Sequence, residues 1–215
     1  MSHEEIAFEP IRGLPEALPE GEEILWQGRP DTWTLVKESL ALRWVVGYFV
    51  LLAVWRVGSL IDLMPLGAAL STAIPFLGLG LLTGAILWLV ALVQARSTVY
   101  TITTARVVMR IGAALTLTVN LPFAAIGGAQ LDLRKRGTGT IALQLTGKTR
   151  LSYLVCWPHV RPWHMNPTQP ALRCIPHAQA VADILARAAA ARIETTVAEE
   201  AVPDRGLPAA TIAAE

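Results

Sequence analysis

LMPLGAALSTAIPFLGLGLLTGAILWLVALVQA, residues 63–95, runs for 33 positions without an Asp, Glu, Lys or Arg. A hydrocarbon core of ~30 Å is crossed by about 20 apolar residues in a helix, so this run suffices for one span and a connection. A second apolar stretch at 44–61 precedes it, and together they predict a helical hairpin with spans at about 44–61 and 74–95. Arg29, Lys37 and Arg43 lie ahead of the first span, Arg96, Arg106 and Arg110 follow the second, and residues 62–73 between the spans hold neither Lys nor Arg. Basic residues concentrate on the cytoplasmic side of a bilayer, so both termini of this multi-pass protein are expected in the cytoplasm. Roughly 40 mostly polar residues precede the first span in place of the short basic start of a cleavable signal, so the spans are expected to be retained.

Composition agrees with a membrane protein that keeps a sizeable part outside the bilayer: 53% of the 215 residues are hydrophobic and 16% charged. The formal net charge of +1 gives no support for bulk nucleic-acid binding. Both cysteines, Cys156 and Cys174, fall on the expected cytoplasmic side and should be free thiols.

Beyond the hairpin the hydrophobic period changes to two. Leu115, Leu117 and Val119 alternate with threonines, and Ile141, Leu143 and Leu145 with Ala142 and Gln144, the pattern of a half-buried antiparallel sheet. Strands are also expected at 99–103, 107–111, 129–133 and 151–155, with turns at Gly127-Gly128, at RKRGTG (134–139) and at TGKT (146–149). Val181, Ile184, Leu185 and Ala188 form a helical stripe able to cap the sheet. The fold class is therefore an α+β membrane protein: a two-helix transmembrane hairpin plus an antiparallel β domain of pleckstrin-homology type, capped by a C-terminal helix. Its expected divisions are an N-terminal cytoplasmic segment (1–42), the hairpin (43–95), the sheet domain (96–193) and a disordered tail (194–215).

The opening FEPIRGLPEALPEGEEILWQGRP (8–30), the hairpin, the strand pair VYTITTARVVMRIG (99–112) and WPHVRPW (157–163) together resemble the PuhB family of purple bacteria. That resemblance covers nearly all of the chain up to the tail. It implies a non-enzymatic factor in the inner, intracytoplasmic photosynthetic membrane that helps the reaction centre and its core antenna assemble. The expected partners are reaction-centre subunits, the H subunit foremost, the core antenna polypeptides and membrane lipid. The alternative is a membrane-anchored pleckstrin-like module that binds anionic headgroups or an unrelated membrane protein.

Individual residues sharpen these expectations. His3, His159, His164 and His177 all lie outside the apolar runs, so neither span offers an intramembrane histidine to a pigment. The repeated Cys-x-x-His of Cys156/His159 and Cys174/His177 has zinc-ligand spacing, but the proline before each histidine and the strand context of Cys174 favour packing, and no metal or other cofactor is expected. ALQLTGKT (142–149) meets the loosest phosphate-loop pattern, yet its strand-turn-strand context lacks the helix that would cradle phosphate. No carboxylate pair or Ser-His-Asp arrangement has a supporting context, so an enzyme is not expected, and Glu20, Glu22 and Glu23 are read as a solvated run.

Arg134, Lys135 and Arg136 in one loop, with Lys148 and Arg150 in the next, are the candidates for a basic rim facing lipid headgroups. Candidate partner contacts are Tyr153, Trp157 and Trp163, because interfaces favour aromatic side chains. To these are added Trp26, Gly28 and Pro30, which should fold the N-terminal segment back on the sheet or the membrane surface, and Arg56, either snorkelling to the far interface or meeting a partner helix. Gly80 and Gly84 form a small-xxx-small spacing that serves packing within the hairpin or a homodimer seam.

Overall fold

The computed structural model describes residues 13–14, 17–112, 116–134, 137–147 and 151–200, with side-chain surroundings as far as residue 195. The chain enters through strand β1 (Ile24–Gly28) and helix α1 (Thr32–Glu38). Two long apolar helices follow, α2 (Leu42–Gly58) and α4 (Ile74–Ser97), with the short α3 (Leu66–Ser71) between them. Strands β2 (Val99–Thr103), β3 (Arg106–Ile111) and β4 (Leu117–Pro122) come next, then β5 (Ile126–Leu133) and β6 (Gly139–Leu145). A single-turn helix α5 (Tyr153–Cys156), strands β7 (Val160–Met165) and β8 (Thr168–Ile175), and helix α6 (Ala178–Glu200) complete the order.

The strands build two four-stranded antiparallel sheets, ordered β1-β2-β3-β4 and β5-β6-β8-β7. Apolar side chains of both converge on one core: Tyr100, Ile102, Val107 and Met109 from the first, Ile141, Leu143, Leu172 and Ile175 from the second. Helix α6 closes this core with Val181, Leu185 and Ala188, three residues of the expected stripe, while Ile184 is only half-buried and stands outside the cluster. The β2–β3 turn is tied by the Thr103 hydroxyl, which accepts from the backbone N–H of Ala105 and Arg106 at 3.2 and 3.0 Å.

The N-terminal segment is not a separate division. β1 pairs with β2 as an edge strand, so residues 24–28 belong to the sheet domain. Glu22 is likewise no solvated charge: its carboxylate accepts from Arg106 Nε and Nη2 at 2.8 and 2.9 Å. Burial alone would raise its pKa, but the bonds from Arg106 and Thr103 outweigh that and hold it below the usual glutamate value.

Three other expectations are corrected. Gly127 and Gly128 lie inside β5, at an irregularity in its pairing with β6, and form no turn; a Cβ at Gly127 would collide with the Thr146 side chain, so glycine serves close strand approach here. Residues 151–155 form no strand, because the apolar run Tyr153–Cys156 closes into α5 and leaves Leu154 and Val155 exposed. Helix α6 continues to Glu200, past the point at 194 where the tail was expected to begin, and residues 201–215 lie outside the described part.

Helices α2 and α4 pack side by side. Gly80 is buried there, and a Cβ on it would meet the Phe49 side chain at 2.9 Å, so the glycine lets the two helices approach closely; Gly84 faces Leu42 in the same seam. The rest of the pair turns its apolar residues outward. The continuous helical stretch 66–97 is long and apolar enough to cross a membrane, and α1 with α2 reaches that length only as a pair bent by 53°.

Two short splices fix the helix pair to the sheets. Leu35, Val36 and Leu40 of the α1 region pack with Ala91, Ala95 and Cys174 in a second, smaller core, and the Asp31 N–H donates to the Cys174 carbonyl at 2.7 Å. Only Thr98, fully buried, separates the end of α4 from the start of β2.

Candidate functional site

Where α1 meets α2, a cleft of about 900 Å³ opens between the head of the helix pair and the second sheet. Helix α1 is started by Asp31, whose carboxylate accepts from Thr34 N–H and Oγ1, both at 2.7 Å. The chain then turns through Ala41, left-handed at φ 53°, into α2, whose first turn has no side-chain cap. Lys37, Glu38, Ala41, Arg43 and Trp44 line this wall. The opposite wall is formed by Tyr153 and Trp157 around α5, by Trp163 and Met165 of β7 and by Arg173 of β8.

The structure thus brings the predicted aromatic group of Tyr153, Trp157 and Trp163 together on one surface, beside the start of an apolar helix. Trp163 is 88% exposed and Trp44 83% exposed. Trp163 (φ 63°), like Ala41, holds left-handed backbone without being glycine, so two strained positions line the cleft, and Cys174 (φ 54°) follows Arg173 in the same conformation.

Arg173 is the site's most unusual group. It is only 5% exposed, yet among the described residues no carboxylate pairs with it; Nη1 donates to the Pro158 carbonyl at 3.2 Å, and Nε has no partner. The nearby acid, Glu38, is engaged by Arg134 Nη1 at 2.7 Å. An isolated buried cation is costly and strengthens the pull on any anion that reaches it.

Behind Arg173 lies a buried polar chain. The Arg173 N–H donates to the Tyr100 hydroxyl at 3.3 Å, that hydroxyl lies 2.5 Å from His159 Nδ1, and His159 Nε2 lies 3.1 Å from Thr98 Oγ1. All members are satisfied when Tyr100 donates to Nδ1 and Nε2–H donates to Thr98. Burial, aided by the Arg173 charge, pushes the His159 pKa down to about 3, and burial raises that of Tyr100, so both are neutral at physiological pH. This chain braces the sheet beneath the cleft.

The other predicted residues are dispersed. Cys156 packs in the main core and Cys174 in the smaller one, His159 uses both ring nitrogens in the buried chain, and His177 is exposed; no metal-binding group of three such residues forms among the described residues. Burial raises the pKa of both thiols. Trp26 packs on the main core, Gly28 lies against the Trp26 ring and Pro30 is buried at the entry to α1, so these three lie where the N-terminal segment folds back on the sheet. Arg56 is exposed in the last turn of α2, where its charge suits the helix C-terminus.

Of the expected basic rim, Lys135, Arg136, Lys148 and Arg150 lie outside the described residues, and Arg134 is engaged by Glu38 and Asp132. Within ALQLTGKT, residues 142–145 belong to strand β6 and Gly147 has a positive φ, while 148–149 lie outside the described residues. Sequence reasoning missed Arg173 as a site residue, took Lys37 and Arg43 only as markers of membrane orientation and left Trp44 as the first residue of an apolar run. The signal available was Arg43-Trp44 at the head of an apolar run; a lone arginine within a strand gave none.

A sequence model described as Bacterial PH domain matches residues 41–189. The chain is 47% identical over 195 residues to an "uncharacterized 23.7 kDa protein in puhA 5'region" of Rhodobacter capsulatus, covering 90% of this chain and 91% of that one. No solved structure gives a significant match. The matched region begins at α2, so β1 is an edge strand contributed from ahead of it.

Proposed function

Because the chain belongs to the bacterial PH domain family, we propose that it serves as a membrane-anchored, non-enzymatic assembly factor for the photosynthetic reaction centre and its core light-harvesting antenna. The observation that carries this reading is the relative's place in the puhA 5' region, a hint of reaction-centre association that accords with the PuhB resemblance. Helices α2 and α4 form the two-span anchor in the intracytoplasmic membrane, with both termini cytoplasmic. The length and apolar outer face of the stretch 66–97 support this, and the 17-residue, mostly apolar α2 runs beside it. Lys37, Arg43 and Arg96 lie at the end of the pair nearest the sheets, which by the positive-inside rule is the cytoplasmic end.

Mechanistically, the spans hold incoming membrane helices while the sheets engage a cytoplasmic partner domain such as that of the reaction-centre H subunit. The exposed aromatic edge of Trp157 and Trp163 supplies the contact type such a partner needs. A scaffolding role also suits the interior: His159 and Tyr100 are sealed in the core and satisfied by each other, out of a substrate's reach.

Affinity purification of the full chain from photosynthetically growing cells, early in assembly, tests the proposal. Reaction-centre subunits and core antenna polypeptides are expected in the eluate. A haul of lipid-synthesis or secretion proteins without them would overturn it.

A further inference from the structure

We propose that the groove between β5 and α6 receives an extended segment of a partner protein, added to the second sheet as a fifth strand, with apolar side chains at alternate positions and a lysine or arginine among the rest. The site goes beyond the assembly reading and does not depend on it. β5 ends its sheet: β6 pairs with one edge, and among the described residues no strand pairs with the other. From Gly128 to Leu133 the pairing with β6 runs without a break, so alternate residues of this stretch turn their backbone N–H and C=O groups away from β6. Two other edge strands carry the residues that discourage further pairing, Pro122 in β4 and Arg161 with Pro162 in β7. β5 has neither proline nor a basic residue, and Gly127, Gly128 and Ala129 leave its backbone uncovered along the groove.

Helix α6 supplies the other wall. Beside the stripe that faces the core it carries a second one, Ala182, Ala186, Ala189 and Ile193, at i, i+4, i+7 and i+11. This stripe lines a groove of about 470 Å³ whose floor is the main core at Phe123 and Ile141, and Ile193 is left 63% exposed. From Ala182 to Ile193 the helix rises about 16 Å, the length of about five strand residues, so a segment of that size can pair along 128–133 while every second side chain enters the groove. An apolar small molecule would fill the groove and leave the strand edge unpaired; a peptide backbone satisfies both. Asp183 sets the sign of the partner's charge. It is the one charged residue lining the groove, it is exposed, and among the described residues its carboxylate accepts from the Gln179 amide at 3.0 Å and forms no ion pair.

The probe is a random heptapeptide phage library, panned on the full-length chain in nanodiscs and counter-selected on its Ala186→Trp variant, in which an indole fills the groove from an exposed helix position. Enriched peptides are expected to alternate apolar residues with others and to share a lysine or arginine. A synthetic peptide of that sequence should bind the wild-type chain, fail on Ala186→Trp and weaken by up to about fivefold on Asp183→Asn, the scale of a cross-strand charge pair. Methylating the backbone nitrogens of one set of alternate peptide residues should abolish binding, and methylating the other set should leave it, because a strand donates to its neighbour from every second residue. No enrichment over the variant, or an acidic consensus, would overturn the proposal. Equal binding of the two methylated peptides would overturn the added strand in favour of a simple apolar pocket. Spontaneous disulfide linkage between two copies of an Ala129→Cys chain would assign the edge to a second copy and overturn the partner segment. Circular dichroism must show Ala186→Trp folded; if it is not, Asp183→Asn serves for the counter-selection and the methylated pair decides.

Discussion

The two halves of the molecule use the same kinds of side chain in opposite ways. In the sheets Tyr100, Ile102, Ile141 and Leu172 are fully buried, whereas on α2 and α4 residues of the same chemistry face outward, Leu81 at 77% exposure and Trp55, Leu51 and Ile74 similarly open. The sheets solve their burial problem with a partner sheet and a capping helix. The helix pair buries a narrow seam around Gly80 and, near the sheets, Ala91 and Ala95, and leaves most of its larger apolar side chains exposed. Hydrophobic content alone therefore says little about where a core lies; what distinguishes the halves is whether the apolar positions converge.

The largest effect that would break this contrast is expected from Leu172→Ala. It removes a fully buried side chain from the core and should cost about 2–5 kcal/mol in denaturant unfolding of the full chain in nanodiscs. Acid should also weaken the sheet domain. His159 has a folded pKa of about 3 against an ordinary 6.5, so below pH 6.5 the unfolded state takes up the proton first, and stability falls as pH drops from there toward 3. Glu22, whose pKa lies below its ordinary 4.5, adds a further loss beneath that value, once protonation removes its pairing with Arg106. A pH titration of unfolding should therefore show a descending limb that begins near pH 6.5, and a flat profile between 6.5 and 4.5 would contradict the buried neutral imidazole.

A smaller loss, about 1–3 kcal/mol, is expected for Tyr100→Phe, which leaves His159 Nδ1 and the Arg173 N–H unsatisfied in the core. Gly80→Leu acts on the other half. It forces α2 from α4 at Phe49, with a cost of about 1–3 kcal/mol in a thermal scan and unchanged intermolecular crosslinking, since the glycine faces its own hairpin. Smallest is Leu81→Ala on the outward helix face, expected to shift stability by no more than about 0.5 kcal/mol in a bilayer. A Leu81→Ala loss comparable to that of Leu172→Ala would erase the distinction between the halves.

Much of this arrangement was legible in the sequence. The apolar runs became α2 and α4 near their expected limits, the period-two stretches became β4 and β6, the strands expected at 99–103 and 107–111 became β2 and β3, and the stripe at Val181, Leu185 and Ala188 became the cap. What escaped depends on contacts distant in the chain. β1 is five residues whose partner lies more than seventy positions away, so no local periodicity could identify it. Gly127-Gly128 has the local character of a turn, and only the neighbouring Thr146 explains it as strand. The run at 151–155 was too short for its period to separate helix from strand. The cleft was half legible: its aromatic wall was named, but Arg173 became recognisable only when its burial and its lack of an acidic partner were visible.

The splice at Thr98 has a mechanical consequence. With a single buried residue between α4 and β2, and the Asp31–Cys174 bond pinning the other connection, the sheets cannot swivel on the helix pair as a tethered domain would. Tilt of the helices is transmitted to the sheets as rotation of one rigid body. The exposed rings of Trp157 and Trp163 are thereby held at a set height and azimuth relative to the axis of α4.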